Sequence, residues 1–216
     1  MIKVILFDFD DTLIRTYSSA VNHIRNAAKL FGVRVPHESE IKLHWGKHFK
    51  DFTTSLWPGL NTGGFNEIYE KFLTRMRGYP PVDGVHEVIE TLTGNYMLGL
   101  VTSRDSMSLP IRARQANIDL GSFAHIVTSD DVRHYKPDPR VFDEILRKTE
   151  IDGIKKEEIV YIGDNIVDFH AARNAGLNFF GVTTGVVTKE DFLKEGLREE
   201  RILISVTELP EKLKRF

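Results

Sequence analysis

The chain has 216 residues, 41% of them hydrophobic, and its 29 basic and 31 acidic residues give a formal net charge of -2. This length and apolar content suffice for a single core domain, with or without a smaller insertion. The near-neutral charge argues against nucleic acid or a membrane surface as a partner, and the lack of cysteine excludes disulfides, thiolate metal sites and a cysteine nucleophile.

The first predicted element begins almost at once, because the apolar run KVILFDF covers 3–9. This start has no signal-peptide layout, and no apolar run in the sequence approaches the roughly 20 residues that cross a bilayer. We therefore expect a cytoplasmic protein without membrane contact, present as a monomer or a homodimer.

Acidic residues crowd the end of this first strand. Asp8 and Asp10 stand where ligands bind in open α/β sheets, and at a spacing of two on an extended segment both side chains can point the same way. Two such carboxylates are hard to ionise together without a cation, which favours a divalent metal. A solvated acidic strand end explains an isolated Asp-x-Asp equally well, and Asp11, which alternates away from the pair, fits that second reading better.

Residues 17–78 show only helical spacing of their apolar side chains. The apolar positions are Tyr17, Val21, Ile24 and Phe31, then Ile41, Trp45, Phe49 and Phe52, then Phe65, Ile68, Tyr69, Phe72 and Met76. The turn-rich stretch 57–64 interrupts this segment and 79–84 closes it. We predict a core made of 1–15 and 80–216, with an inserted all-helical cap made of 16–79.

Beyond the insertion, short apolar runs rich in Val, Ile and Phe alternate with helical patterns. The predicted strands are 97–103, 124–129, 159–163 and 178–184, and the predicted helices are 85–95, 140–149 and 165–176. Continuous apolar runs are typical of strands buried on both faces, and their alternation with helices is typical of parallel sheets. The core is therefore predicted to be α/β, with a doubly wound, Rossmann-like parallel sheet.

Polar residues follow the second and third strands. Thr102 and Ser103 offer a hydroxyl and a turn amide to a phosphate oxygen, although capping of the next helix explains them as well. Lys136 precedes two prolines, Pro137 and Pro139, which stiffen the backbone around a single cation. Lysine is most often a surface residue, but the flanking prolines make this position unusual.

The fourth strand is followed by Asp164 and, four residues later, Asp168. They lie on one face at the start of the next helix, where acidic residues also suit the helix dipole. Asp168 alone therefore has a structural explanation, whereas Asp164 sits in a tight turn and is harder to dismiss. Four strands thus end in groups suited to catalysis, and this conjunction is more specific than any one of them.

The segments DFDDT, VTSR, KPDP and GDNIVDFHAARNAG resemble, in this order across nearly the whole chain, the four motifs of the haloacid dehalogenase superfamily. The helical insertion between the first two motifs resembles that of its helical-cap subgroup, which includes phosphoglycolate phosphatase-like enzymes and β-phosphoglucomutases. The resemblance implies a Mg²⁺-dependent phosphatase, a phosphoric monoester hydrolase whose substrate is a small phosphorylated metabolite.

By this resemblance Asp8 is the nucleophile that forms an aspartyl phosphate, and Asp10 is the acid and base of the reaction. The other implied roles are phosphate binding by Thr102, the Ser103 amide and Lys136, and Mg²⁺ binding by Asp8, the Asp10 carbonyl and Asp164, with Asp168 behind these ligands. A second acid at position 10 also argues against dehalogenation, because a halide leaves without a proton.

The cap stretch KLHWGKHFK at 42–50 contains a glycine, Gly46, that resembles the glycine of the family's substrate loop. This resemblance makes the following residues expected cap contacts to the substrate: His44, Lys47 and His48. A solvated polar face explains the same three residues. Trp45 continues the apolar stripe of the segment and is expected to pack in the core.

Three other functions fit parts of the pattern. A phosphoacceptor switch of the response-regulator kind uses similar groups, but its accepting Asp lies on the third strand and no helical insertion follows the first. A phosphomutase returns the phosphate to its substrate. A phosphonate hydrolase needs a cap lysine for a Schiff base, for which Lys42, Lys47 and Lys50 are available. A phosphatase needs only water as acceptor and is therefore preferred.

Overall fold

A parallel sheet of six strands lies at the centre of the computed structural model, which describes residues 1–61, 63–64, 67–68, 78–214 and 216. The strands are β1 Val4–Phe7, β2 Met97–Val101, β3 His125–Val127, β4 Ile159–Gly163, β5 Asn178–Val182 and β6 Ile202–Leu203. Their order in the sheet is β3-β2-β1-β4-β5-β6. The chain therefore reverses its direction of growth between β1 and β4, where α/β sheets bind their ligands.

Helices cover both faces of this sheet. The described helices are α1 Tyr17–Phe31, α2 Glu38–His44, α3 Phe49–Leu56, α4 Val85–Thr93, α5 Ser108–Gln115, α6 Asp143–Ile151, α7 Ile166–Ala175, α8 Lys189–Lys194 and α9 Leu209–Leu213. One apolar cluster joins β1 to α1, α4, α5 and α9, and a second joins β1 to α6, α7 and α8. None of the described helices is long and apolar enough to cross a bilayer.

The position of strand β1 in the middle of the sheet explains why its sequence is apolar without interruption. Ile5 and Phe7 belong to one cluster, whereas Val4 and Leu6 belong to the other. Side chains alternate between the faces of a strand, so a strand covered on both sides must be apolar throughout. All four residues have no exposed surface, and the strand pairs with β2 on one side and β4 on the other. The first acidic residue, Asp8, is thus delivered to the middle of the sheet edge.

The predicted α/β class and the doubly wound parallel sheet are confirmed. The five predicted strands are present, β4 with the predicted bounds and the other four shorter, whereas the two-residue strand β6 and helices α5, α8 and α9 were not predicted. Within the predicted insertion, α1, α2 and α3 lie between β1 and β2. Part of that prediction lies outside the described residues, namely Phe65, Tyr69, Phe72 and Met76. The division into core and cap stays a prediction.

Burial on β1 predicts a large cost for removing one of its side chains. Leu6→Ala should lower the free energy of unfolding by about 2 to 5 kcal/mol, because the cavity lies where the structure cannot collapse. Urea denaturation of the purified variant measures this change. Leu43→Ala, at a position that is 74% exposed, is the control and should change stability by less than about 0.5 kcal/mol. Equal effects of the two substitutions would contradict the burial.

Candidate active site

A cavity of about 340 Å³ lies beyond the carboxyl ends of β1 to β4. Its floor comes from the residues that follow these strands, and the cap segment 45–50 forms its other wall. The predicted site residues that line it are Asp8, Asp10, Lys47, His48, Ser103, Lys136, Asp164 and Asp168. Thr102 is buried next to Ser103. His44 stands back from the cavity, with its Nδ1 atom 3.0 Å from Lys47 Nζ.

Lys136 bridges two buried carboxylates. Its Nζ atom donates to Asp8 Oδ1 at 2.6 Å and lies 2.8 Å from Asp168 Oδ1. Burial raises the pKa of Asp8 to about 7, and Asp168 and Asp10 add to this, while the charge and hydrogen bond of Lys136 oppose it. Burial alone would lower the pKa of Lys136, but Asp168 and Asp8 more than compensate and the net shift is upward. The lysine therefore holds its charge in this pocket.

Asp164 presents a buried carboxylate oxygen that has no hydrogen-bond donor within the described part of the chain. Burial raises its pKa well above the ordinary value, and the charges of Asp11, Asp168 and Asp8 raise it further. Oxygens of Asp8, Asp164 and Asp168 all lie within 4.8 Å of one another. Carboxylate oxygens are the donors that Mg²⁺ prefers, so this cluster fits such an ion.

Asp168 differs from the other two carboxylates because donors already surround it. Its Oδ1 atom accepts from Tyr161 at 3.0 Å in addition to Lys136, and its Oδ2 atom accepts from the Asn165 amide at 3.1 Å. These bonds fix Asp168 at the start of α7 and hold Lys136 in place. Asp8 and Asp164 are therefore the better candidates for direct metal binding, while Asp168 orients Lys136 beside them.

Thr102 and Ser103 end β2 at the same edge. The Thr102 amide donates to Val127 O at 3.0 Å, which extends the pairing of β2 with β3. Its hydroxyl oxygen accepts from the Arg104 amide at 3.1 Å. The turn after β2 is thus held by the threonine side chain, and the hydroxyl keeps its own hydrogen to donate to a bound anion.

Arg104 also lines the cavity, although it was not among the predicted site residues. Its Nε atom donates to Asp10 Oδ2 at 3.0 Å, and its Nη2 atom donates to Asp10 Oδ1 at 2.5 Å. The Thr16 hydroxyl also donates to Asp10 Oδ1, at 2.6 Å. Its place directly after Thr102 and Ser103 in VTSR was the available signal, because a residue there must lie at the same sheet edge.

Asp11, which was predicted to be a solvated acidic residue, is buried and accepts several hydrogen bonds. Its φ of 55° is unusual for a residue other than glycine and turns its side chain toward the cap. Oδ1 accepts from the amides of Thr16 and Tyr17 at 2.7 and 3.0 Å, and Oδ2 accepts from Trp45 Nε1 at 2.8 Å. Burial raises the pKa of Asp11 to about 6, although the Tyr17 and Thr16 amides oppose the shift. Asp11 therefore connects the end of β1 to the start of α1 and to loop 45–48 of the predicted cap, which we call the cap loop.

The loop 45–48 lies over the start of α7. Trp45 packs at right angles to Tyr17 and Phe52, as expected, and also lines the cavity. Its carbonyl accepts from Asn165 Nδ2 at 3.3 Å. The His48 ring stacks on Tyr135 with ring centroids 3.9 Å apart. Contacts on both sides of Gly46 and Lys47 thus hold this loop against the core.

Residues 5–182 match the haloacid dehalogenase-like hydrolase family. The chain belongs to that family. A phosphoglycolate phosphatase of Vibrio cholerae is 27% identical over 199 residues, which cover 85% of each chain. A glyceraldehyde 3-phosphate phosphatase of Methanothermobacter thermautotrophicus is 26% identical over 233 residues, covering 98% of this chain and 99% of the relative. A haloacid dehalogenase-like hydrolase structure from Bacteroides fragilis has a TM-score of 0.83 at 24% identity, covering 97% of this chain and 100% of that one.

The superfamily predicted from the four sequence motifs is therefore confirmed, and so is the prediction that the chain is an enzyme. As a haloacid dehalogenase-like hydrolase, it carries the first motif at the end of β1 and the fourth at the end of β4. The structural likeness extends over almost the whole chain, so it supports the fold beyond the matched residues.

Close packing at Gly185 predicts an effect on metal binding. A Cβ atom at this position would lie 1.9 Å from Asp164 Oδ2, so Gly185→Ala must displace that carboxylate. We expect the affinity for Mg²⁺, measured by isothermal titration calorimetry, to fall about ten-fold. Gly94→Ala is the control, because in the described part of the chain no atom lies within 4 Å of its added Cβ. An unchanged affinity in Gly185→Ala would argue against Asp164 as a ligand.

Proposed function

We propose that this hydrolase is a Mg²⁺-dependent phosphatase that cleaves a small phosphate monoester through an aspartyl phosphate on Asp8. One observation supports it most: the Asp8 carboxylate shares a cavity with the Lys136 ammonium at 2.6 Å and with the Asp164 oxygen that lacks a donor among the described residues. Phosphoryl transfer depends chiefly on positioning and on positive charge around the phosphate oxygens. Phosphoglycolate and glyceraldehyde 3-phosphate, named in the two relatives, are small phosphate monoesters.

The two carboxylates of the first motif would divide the chemistry between them. In the first step an Asp8 oxygen attacks phosphorus, the bond from phosphorus to the ester oxygen breaks, and Asp10 gives the leaving oxygen its proton. In the second step Asp10 takes a proton from water while the water oxygen attacks phosphorus, and the bond from phosphorus to the Asp8 oxygen breaks. The products are the alcohol and inorganic phosphate, and both carboxyl groups return to their starting states.

The phosphate oxygens would be held by groups that the fold fixes. The Lys136 ammonium has three donors, of which Asp8 and Asp168 engage two, and a phosphate oxygen can accept the third. The Thr102 hydroxyl and the Ser103 amide would donate to the others. Mg²⁺ bound by Asp8, Asp164 and the Asp10 carbonyl would supply further positive charge beside the transferred group.

The cap loop would exclude water and contact the alcohol part of the substrate. Lys47 and His48 line the cavity and are the proposed contacts. His44 would act on the substrate only through Lys47, which it touches. Because Trp45 also lines this wall, the pocket combines a large apolar surface with cations, which suits a small anionic ester.

The alternative functions have less support. Helices α1 to α3 follow β1 directly, which differs from a response-regulator receiver, and the family match also favours a hydrolase. Lys47 and Lys50 line the cavity, as a phosphonate hydrolase would require of its Schiff-base lysine. Hydrolysis of an ester needs neither that lysine nor retention of the product, so the phosphatase remains the proposal.

The proposed nucleophile predicts that Asp8→Asn lowers kcat by about 10³-fold or more, because an amide oxygen cannot form the aspartyl phosphate. Hydrolysis of p-nitrophenyl phosphate in the presence of Mg²⁺ measures the loss, and circular dichroism checks the fold. Asp83→Asn is the matched control, since its side chain is 94% exposed and pairs with Arg15 on the surface. Full activity in Asp8→Asn would remove the proposed nucleophile.

The cap loop predicts a sensitivity at Gly46. Its φ is +88°, and an added Cβ would lie 2.7 Å from Asn165 Nδ2, so Gly46→Ala should push the loop off the core. We expect KM for p-nitrophenyl phosphate to rise about ten-fold. Gly59→Ala is the control, because its φ of +83° imposes the same backbone strain and no atom of the described residues lies within 4 Å of the new Cβ. Equal KM values for the two variants would speak against loop 45–48 as part of the substrate site.

A further inference from the structure

The proposed acid, Asp10, is paired with a cation rather than turned toward Asp8. Arg104 donates to both of its oxygens, and the Thr16 hydroxyl donates to one of them. The pair is largely shielded from water, with side-chain exposures of 11% for Arg104 and 25% for Asp10. Such two-point pairs between guanidinium and carboxylate are among the stronger hydrogen-bonded contacts in proteins.

This pairing conflicts with proton transfer. To give a proton to the leaving oxygen, Asp10 must direct an oxygen at the ester, but in the observed arrangement both oxygens are engaged by the guanidinium fork. Arginine keeps its charge under all ordinary conditions, so the pair does not open by loss of a proton from Arg104. A second anion that binds the guanidinium would release Asp10 and keep the charge of Arg104 compensated.

Arg104 is held where a substrate can reach it. Its amide donates to Thr102 Oγ1 at 3.1 Å, and its carbonyl accepts from the Ser129 amide at 2.9 Å, so the ends of β2 and β3 fix its backbone. Its side chain lines the same cavity as Asp8 and Lys47. The backbone of Arg104 is therefore fixed at a place from which the guanidinium reaches the cavity.

We infer that Arg104 determines specificity by exchanging partners: a carboxylate on the substrate takes the guanidinium from Asp10 and thereby frees Asp10 for proton transfer. The inference rests on the proposed phosphatase activity and specifies its substrate as a phosphate monoester with a carboxylate close to the ester oxygen. The exchange keeps the hydrogen bonding of Arg104 intact, because one carboxylate replaces another in the same fork. An ester without an anionic substituent must bind while Asp10 remains paired.

The test compares phosphoglycolate with its neutral amide, which has nearly the same shape and lacks only the carboxylate charge. The wild-type enzyme should favour phosphoglycolate at least 30-fold in kcat/KM. In Arg104→Gln this ratio should fall at least ten-fold, and kcat for the amide should rise because Asp10 is no longer held. Arg104→Lys, which keeps the charge but not the two-point fork, should keep part of the preference.

Lys47→Gln is the matched control, since Lys47 is a cation that lines the same cavity. It should weaken binding of phosphoglycolate without raising kcat for the amide, which separates general attraction from release of Asp10. An equal loss of kcat/KM for both esters in Arg104→Gln, with the folded state checked by circular dichroism, would overturn the inference and leave the phosphatase intact. If wild type cleaves neither ester nor p-nitrophenyl phosphate, the proposed function itself fails, and the inference with it.

Discussion

The site depends on the balance of buried charge around Lys136. Three carboxylates, Asp8, Asp164 and Asp168, have oxygens within 4.8 Å of one another, and one ammonium lies among them. Buried ions are tolerated only when they are paired, so three negative charges against one positive charge leave two negative charges without compensation. A divalent cation would supply that amount. Burial first, and the neighbouring carboxylates after it, raise the pKa of Asp8 to about 7 and that of Asp164 well above its ordinary value, which is the direction expected where buried negative charge outweighs positive charge.

The sheet brings Asp8 and Asp164 together at one edge, because each directly follows a strand. β1 and β4 pair in register from Val4 with Ile159 to Phe7 with Ile162, and the Asp8 amide continues the pairing to Ile162. Parallel strands point their carboxyl ends to one edge, so the residue after each strand must lie near the residue after its neighbour. The apolar core therefore positions the residues proposed for catalysis. Because β1 is buried on both faces, the position of Asp8 at its end is fixed.

The sequence predicts those parts of the molecule that depend on local patterns. An apolar run followed by a polar group indicated the strand ends that carry Asp8, Thr102 and Asp164. The order of the four motifs along the chain indicated the family. Contacts between distant residues left no such pattern. The Asp10 to Arg104 pair spans 94 positions, and the Asp11 to Trp45 bond spans 34 and depends on a φ of 55° that strand alternation does not predict. The close approach of Gly185 to Asp164 likewise appears only in three dimensions.

The start of α1 connects Asp10, the proposed acid, to the predicted cap. The Thr16 hydroxyl donates to Asp10, while its amide donates to Asp11, and Asp11 in turn accepts from the indole of Trp45. A movement of the cap loop must therefore act on Asp11, and a movement of α1 must act on Asp10 and Asp11 together. Because Arg104 donates to both Asp10 oxygens, the Asp10 carboxylate contacts both a part of the predicted cap and a part of the core. In the exchange inferred for Arg104, a substrate that fills the space between these two parts would contact both, so the same few hydrogen bonds would couple its binding to the release of Asp10.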